Sequence, residues 1–157
     1  MEKQLLDYLK RYNLQYEEYK HPPIFTVAEG EELKKDIPAL CSKNLFLKDN
    51  NSNFYLVCMP CEKRLDIKSL QKTFGVKKLK FGTPEELKEH LNITPGSVSL
   101  FCMIHSTHVN LIIDKELWEV DFSGYHPNEN TSTLVLSKEN IKRFCDSLSI
   151  KYQIILL

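Results

Sequence analysis

The chain has 157 residues, 21 lysines and arginines against 21 aspartates and glutamates, and 42% hydrophobic side chains. That length and apolar content suit one domain with its own core, spanning residues 1–157, and exclude a disordered chain. A formal net charge of zero argues against holding DNA or long RNA by bulk attraction, though not against contact with a few phosphates.

Leu5, Leu6, Leu9 and Tyr12 recur at helical spacing and predict an amphipathic helix over 2–12. Residues 15–20 alternate weakly, as an edge strand does, and His21-Pro22-Pro23 breaks regular structure because proline cannot donate to a ladder. Thr26 and Glu29 form a capping-box pattern for a short helix to about Lys35. Asn44–Lys48 and Phe54–Met59 are β-rich runs on either side of a polar loop, which reads as a hairpin. Asp66 can cap a helix that Gly75 ends, and Lys80-Phe81 is a short extended piece. Thr83-Pro84-Glu85-Glu86 combines cap, first-turn proline and capping-box glutamate. Strands are then expected at Val109–Ile113, Trp118–Phe122 and Thr133–Leu136. A helix capped by Ser137 and a terminal strand over Ile150–Leu156 complete an α+β pattern.

No apolar run approaches the ~20 residues that a membrane-spanning helix needs. The start of the chain enters an amphipathic pattern directly, unlike a signal peptide. Five scattered cysteines make a poor disulfide framework, so reduced thiols in the cytoplasm are the expectation. Cys58-x-x-Cys61 and His105-x-x-His108 have zinc-ligand chemistry. Their spacing is unusual for a zinc site, and Cys58 falls inside an expected strand, so a packed thiol is the simpler reading. There is no G-x-S-x-G elbow, P-loop or dinucleotide fingerprint. Polar residues do interrupt apolar surroundings at three joints: Lys43-Asn44 before Leu45-Phe46-Leu47, the Pro95–Ser99 turn, and the loop from Tyr125 to Thr131. From the residues alone the reading ends at an α+β domain with a polar pocket.

The order of short motifs adds to this. His21-Pro22-Pro23-Ile24-Phe25-Thr26-Val27, Ser42-Lys43-Asn44-Leu45-Phe46-Leu47-Lys48-Asp49 and Phe81-Gly82-Thr83-Pro84-Glu85-Glu86-Leu87 follow one another. Thr94-Pro95-Gly96-Ser97-Val98-Ser99 and His126-Pro127-Asn128-Glu129-Asn130-Thr131 come after them. This series resembles the YbaK/ProX family of freestanding aminoacyl-tRNA deacylases, and within it the prolyl-tRNA-editing branch (ProXp-ala or PrdX type). The resemblance runs from about residue 15 to the C-terminus and implies a mixed, curved sheet surrounded by helices. It implies hydrolysis of the ester joining alanine to the 3′ end of tRNA(Pro), without metal or cofactor, in the cytoplasm. The substrate's own ribose 2′-hydroxyl is expected to assist the attacking water. A non-catalytic aminoacyl-tRNA or amino-acid binder, partnering a prolyl-tRNA synthetase, is the alternative.

Carried over by position, Lys43 matches the family's essential lysine, and Asn44 would orient the substrate. Gly96 and Ser97 match the loop that closes on the aminoacyl group, and His126 matches the histidine of the His-Pro motif. Lys48 is expected to contact phosphate and Val27 to limit side-chain size. Family members carry proline and phenylalanine after the Gly-Ser-Val stretch, whereas here Leu100 precedes Phe101 and Cys102-Met103-Ile104-His105 follow. That departure bears on loop shape and pocket volume.

Overall fold

The computed structural model describes residues 1–157, except for the side chain of Val27, which lies outside the described residues. Helix α1 (Lys3–Arg11) buries Leu5 and Leu9, one turn apart, as its periodicity requires. Strand β1 (Glu17–Lys20) is followed by α2 (Val27–Lys34). The hydroxyl of Thr26 accepts from the Glu29 amide and the Glu29 carboxylate accepts from the Thr26 amide, which is the expected capping box. Strands β2 (Leu40–Asp49) and β3 (Phe54–Pro60) form the expected antiparallel hairpin, with Lys43 opposite Met59 and Asn44 opposite Cys58. Helix α3 (Ile67–Phe74) starts at the Asp66 cap and ends at Gly75, whose φ of 67° is one that glycine tolerates. Then come β4 (Leu79–Phe81), α4 (Pro84–Leu91) with its Thr83–Glu86 capping box, and a 3₁₀ helix over Leu100–His105. Strand β5 (Asn110–Asp114), α5 (Lys115–Glu119), β6 (Phe122–Tyr125), β7 (Ser132–Ser137), α6 (Lys138–Ser147) and β8 (Tyr152–Ile155) complete the chain.

The eight strands form one mixed sheet in the order β1-β7-β6-β2-β3-β5-β8, with β4 added to the outer half of β2. Every residue of β3 is buried. Alternate side chains serve opposite faces: Phe54, Leu56 and Cys58 join the core with α1 and α6, while Tyr55, Val57 and Met59 join the one under α3. β2 belongs to two neighbourhoods. Leu40 and Cys41 pair in parallel with Ser123 and Gly124 of β6, and from Ser42 onward the strand pairs with β3. The polar joint at Lys43-Asn44 lies just past that exchange of partners.

Two expectations are corrected. Trp118–Phe122 is not a strand: the Asp114 carboxylate accepts from the Glu116 amide and caps α5, which buries Leu117. Only from Phe122 does the backbone join the sheet, so a helix cap and one buried leucine override the β-propensity of Trp118 and Val120. Nor are all the thiols reduced. Cys41 and Cys61 are bonded across the open end of the hairpin, with Cα atoms 5.4 Å apart, because antiparallel pairing brings together residues 20 apart in sequence. Among the described residues, no helix is long and apolar enough to cross a membrane.

Candidate active site

Where β2 changes partner, the strands part around a cavity of about 760 Å³. Lys43 and Asn44 line it from β2, Gly124 and His126 from β6 and the residue beyond its end, and Thr133 from β7. Helix α2 and its flanks supply Ile24, Gly30, Leu33 and Ile37, and Gly96 and Val98 close the far side. Three polar joints separated in sequence by up to 83 positions thus converge on one space. The volume falls in the range of small-molecule sites, with room for a nucleoside beside a small amino acid.

The charges around the cavity are unequal in their partners. Lys34 bonds Glu31 at 2.7 Å and lies 3.7 Å from Glu62, so its charge is met. Lys43 has no carboxylate within ion-pair distance among the described residues, and burial pulls its ammonium below the ordinary lysine value. A cation that is partly stripped of water and lacks a counter-ion is suited to meet an anion or a carbonyl developing negative charge. Beside it, the Asn44 side-chain oxygen is buried without a hydrogen-bond partner. Such a group is costly to maintain.

His126 contributes a third kind of group. Its Nδ1 lies 3.1 Å from the Ser132 carbonyl, and a carbonyl only accepts. Nδ1 therefore carries the proton, and Nε2 is the acceptor of the neutral ring. Burial holds this imidazole below the ordinary histidine value, against the Ser132 contact and with help from His21, so it is neutral near pH 7. His21 follows the same logic. Its Nδ1 donates to the Pro22 carbonyl at 2.8 Å and its Nε2 accepts from the Thr133 hydroxyl at 3.0 Å, which fixes one wall of the cavity.

Among the residues singled out in the sequence, Lys43, Asn44, Gly96 and His126 come together at the cavity. Gly96 has φ of 90°, which needs glycine, and so turns Val98 into the wall. Ser97 does not line the cavity; its amide donates to the Thr94 carbonyl in the turn. Lys48 points elsewhere and bonds Glu86 at 2.8 Å. That contact, together with the Thr83 amide, holds the Glu86 carboxyl down at about 2. Val27 begins α2, and its side chain lies outside the described residues. Leu100, Phe101, Cys102 and Met103 are fully buried in the core, so the departure there shapes packing and not the cavity wall. The Cys and His pairs do not converge either. Cys61 bonds Cys41, Cys58 is buried, His105 meets Glu2 and His108 meets His90, and no metal-binding cluster occurs among the described residues.

Sequence reading missed Ile24, Cys41, Gly124 and Thr133 as cavity residues. Cys41 was recoverable, since it stands two residues before Lys43 on a strand and shares its face. Gly124 and Thr133 depend on the β6–β7 pairing, which places them side by side: a Cβ on Gly124 would come 3.0 Å from the Thr133 methyl.

The sequence profile of the aminoacyl-tRNA editing domain matches residues 21–144. The chain is 33% identical over 141 residues to the prolyl-tRNA editing protein ProX of Acetoanaerobium sticklandii, covering 88% of this chain and 84% of that protein. It is 28% identical over 150 residues to a prolyl-tRNA synthetase associated domain-containing protein of Danio rerio, covering 93% and 82%. Its fold matches a crystal structure described as a candidate trans-editing enzyme for prolyl-tRNA synthetase, with a TM-score of 0.76 at 15% identity over 100% of this chain and 98% of the other.

Proposed function

The chain belongs to the aminoacyl-tRNA editing domain family, and from that premise we propose that it is a trans-editing deacylase that hydrolyses alanine from mischarged tRNA(Pro). The observation that carries this reading is Lys43, a cation without a carboxylate partner among the described residues, beside Asn44 in the wall of a cavity that His126 also lines. An aminoacyl ester complements this set. Its carbonyl and phosphate are acceptors for the Lys43 ammonium, and its α-ammonium and ribose hydroxyl are donors for Asn44 and for Nε2 of His126.

In the reaction, water adds to the ester carbonyl and the acyl–oxygen bond breaks. Alanine leaves with the hydroxyl of water, and the ribose 3′-oxygen takes up the proton. Lys43 stabilises the oxyanion of the tetrahedral intermediate. Asn44 and His126 hold the donors that flank the ester, and Gly96 lets backbone approach the acyl group closely. The neighbouring ribose 2′-hydroxyl orients the water, so the chain needs no general base, cofactor or metal of its own. Lys48 would serve a phosphate only by exchanging it for Glu86. Residues 1–157 act together as one editing domain in the cytoplasm, and a prolyl-tRNA synthetase is a fitting partner because both handle the same tRNA.

The test is to mix the protein with alanylated and with prolylated tRNA(Pro) and follow release of the amino acid. Alanine release well above a buffer control, with proline retained, is expected. Tight binding without turnover would instead make the protein a sensor of aminoacyl-tRNA, and equal release of proline would remove the specificity.

A further inference from the structure

The five cysteines divide sharply. Cys58, Cys102 and Cys145 are fully buried in the core, and burial pushes all three thiols up, Cys102 to about 12. Such thiols are inert. Cys41 and Cys61 are only half-buried, and both line the substrate cavity as well as a smaller neighbouring hollow that holds Lys34 and Lys63. They are bonded to each other between β2 and the residue after β3. The backbone there is also held by the Cys61 amide, which donates to the Cys41 carbonyl at 2.9 Å. The two sulfurs therefore stay close whether or not they are bonded. Cys41 shares a strand face with Lys43, so any change in how the hairpin end is fastened acts two residues from the cavity's unpaired cation.

We propose that Cys41 and Cys61 form a redox-active dithiol/disulfide site in the cavity wall, and that exchange with an external dithiol sets the rate of deacylation. A thiolate of the external dithiol attacks one sulfur of the Cys41–Cys61 bond and displaces the other as a thiolate. The second thiol of the reagent then breaks the mixed disulfide. Two electrons and two protons pass to the cysteines, and the reagent leaves as its own disulfide; oxidation is the reverse. The pair is partly exposed, lies beside cations and is adjacent to a functional group. A disulfide of that kind in a reducing compartment is a transient or sensing one. The bridged form clamps the hairpin end beside Lys43, whereas in the reduced form only the Cys61–Cys41 backbone hydrogen bond holds it, so Lys43 is fixed less firmly. The effect on rate rests on the deacylase reading above, whereas the redox site itself does not.

The experiment equilibrates the protein at varied ratios of reduced to oxidised dithiothreitol, alkylates it with iodoacetamide and locates the label by mass spectrometry. Cys41 and Cys61 are expected to change together from protected to labelled, while Cys58, Cys102 and Cys145 stay unlabelled until the protein is denatured. Alanyl-tRNA(Pro) deacylation is measured on the same samples. The bridged form is expected to have kcat/KM about threefold or more above the reduced form, as for a displaced catalytic group. A Cys41→Ser/Cys61→Ser double variant, checked for folding by circular dichroism, is expected to lose all dependence of its rate on the dithiothreitol ratio. Independent labelling of the two cysteines, or labelling that ignores the dithiothreitol ratio, would overturn the site. Equal rates in the two forms would overturn its control of activity. Absence of deacylation in both forms would count against the deacylase reading, and the labelling would still decide whether the redox pair exists.

Discussion

Lys43 gains its chemical character from what does not surround it. Its near neighbour Lys34 is met by Glu31 and Glu62, and removing the Lys34 charge would leave those acids unpaired. Removing Lys43 leaves no carboxylate stranded. Lys43→Ala is therefore expected to lower kcat/KM for Ala-tRNA(Pro) by about 10²-fold or more while leaving the thermal midpoint nearly unchanged. Single-turnover deacylation and a thermal melt on the same sample check both halves. His126 predicts a pH dependence of stability. Burial, opposed by the Ser132 carbonyl and reinforced by His21, keeps the folded imidazole below its ordinary value. The unfolded chain then takes up the proton more readily, so stability is full above about pH 6.5 and falls as the pH drops below it. His126→Gln removes this contribution, and the difference in Tm between about pH 7.5 and 5.5 should narrow. An unchanged difference would show that another group dominates. That Lys43, Asn44 and His126 belong together was legible only through the order of the family's motifs, because singly each polar residue at a joint has an ordinary structural reading. The pairing of Lys48 with Glu86 was not legible, because it depends on where α4 lies against β2.

At the level of elements, capping chemistry predicted most helix starts correctly. Thr26, Asp66, Thr83 and Ser137 all accept from the expected backbone amide. Such caps are local and can be read from four consecutive residues. Helix α5 was missed because Asp114 serves both as the last residue of β5 and as a cap, and the strand propensity of its neighbours hid the second role. The cap at Thr26 offers a test with two outcomes in one protein. Thr26→Ala is expected to cost about 1 kcal/mol of stability and also to reduce deacylation, because α2 walls the cavity. Thr83→Ala is expected to cost a similar amount with activity intact, because α4 packs away from the cavity. Urea unfolding and deacylation of the two variants side by side make the comparison. Gly82 is a sharper case. A Cβ there would fall 2.4 Å from a ring carbon of buried Phe46, so Gly82→Ala is expected to destabilise by about 1–3 kcal/mol. A variant as stable as the parent would mean that Phe46 can move aside freely.

For the molecule as a whole, a formal charge of zero and, among the described residues, a cavity lysine without a carboxylate partner fit the proposed deacylase, which would hold only the end of its tRNA. Affinity for Ala-tRNA(Pro) should fall only gently with salt, with a log–log slope of magnitude about 2–3. A much steeper slope from fluorescence anisotropy titration would point to many phosphate contacts across the tRNA body. The α+β class could be read from the alternation of helix and strand patterns, but the strand order could not. The parallel pairs β2–β6, β3–β5 and β5–β8 join segments that no local signal links.

That β2 answers to two partners has a consequence for how the chain reaches its active form. The hairpin with β3 closes over a loop of four residues and can form early, with Lys43 already on the strand. The stretch before it finds Ser123 and Gly124 only after about 80 further residues have been brought home, and closing a loop of that size is slow. Refolding followed by intrinsic fluorescence and by recovery of deacylation should therefore give different time courses. Burial of the apolar interior would come first, and catalytic competence would appear with the last two pairs of the ladder.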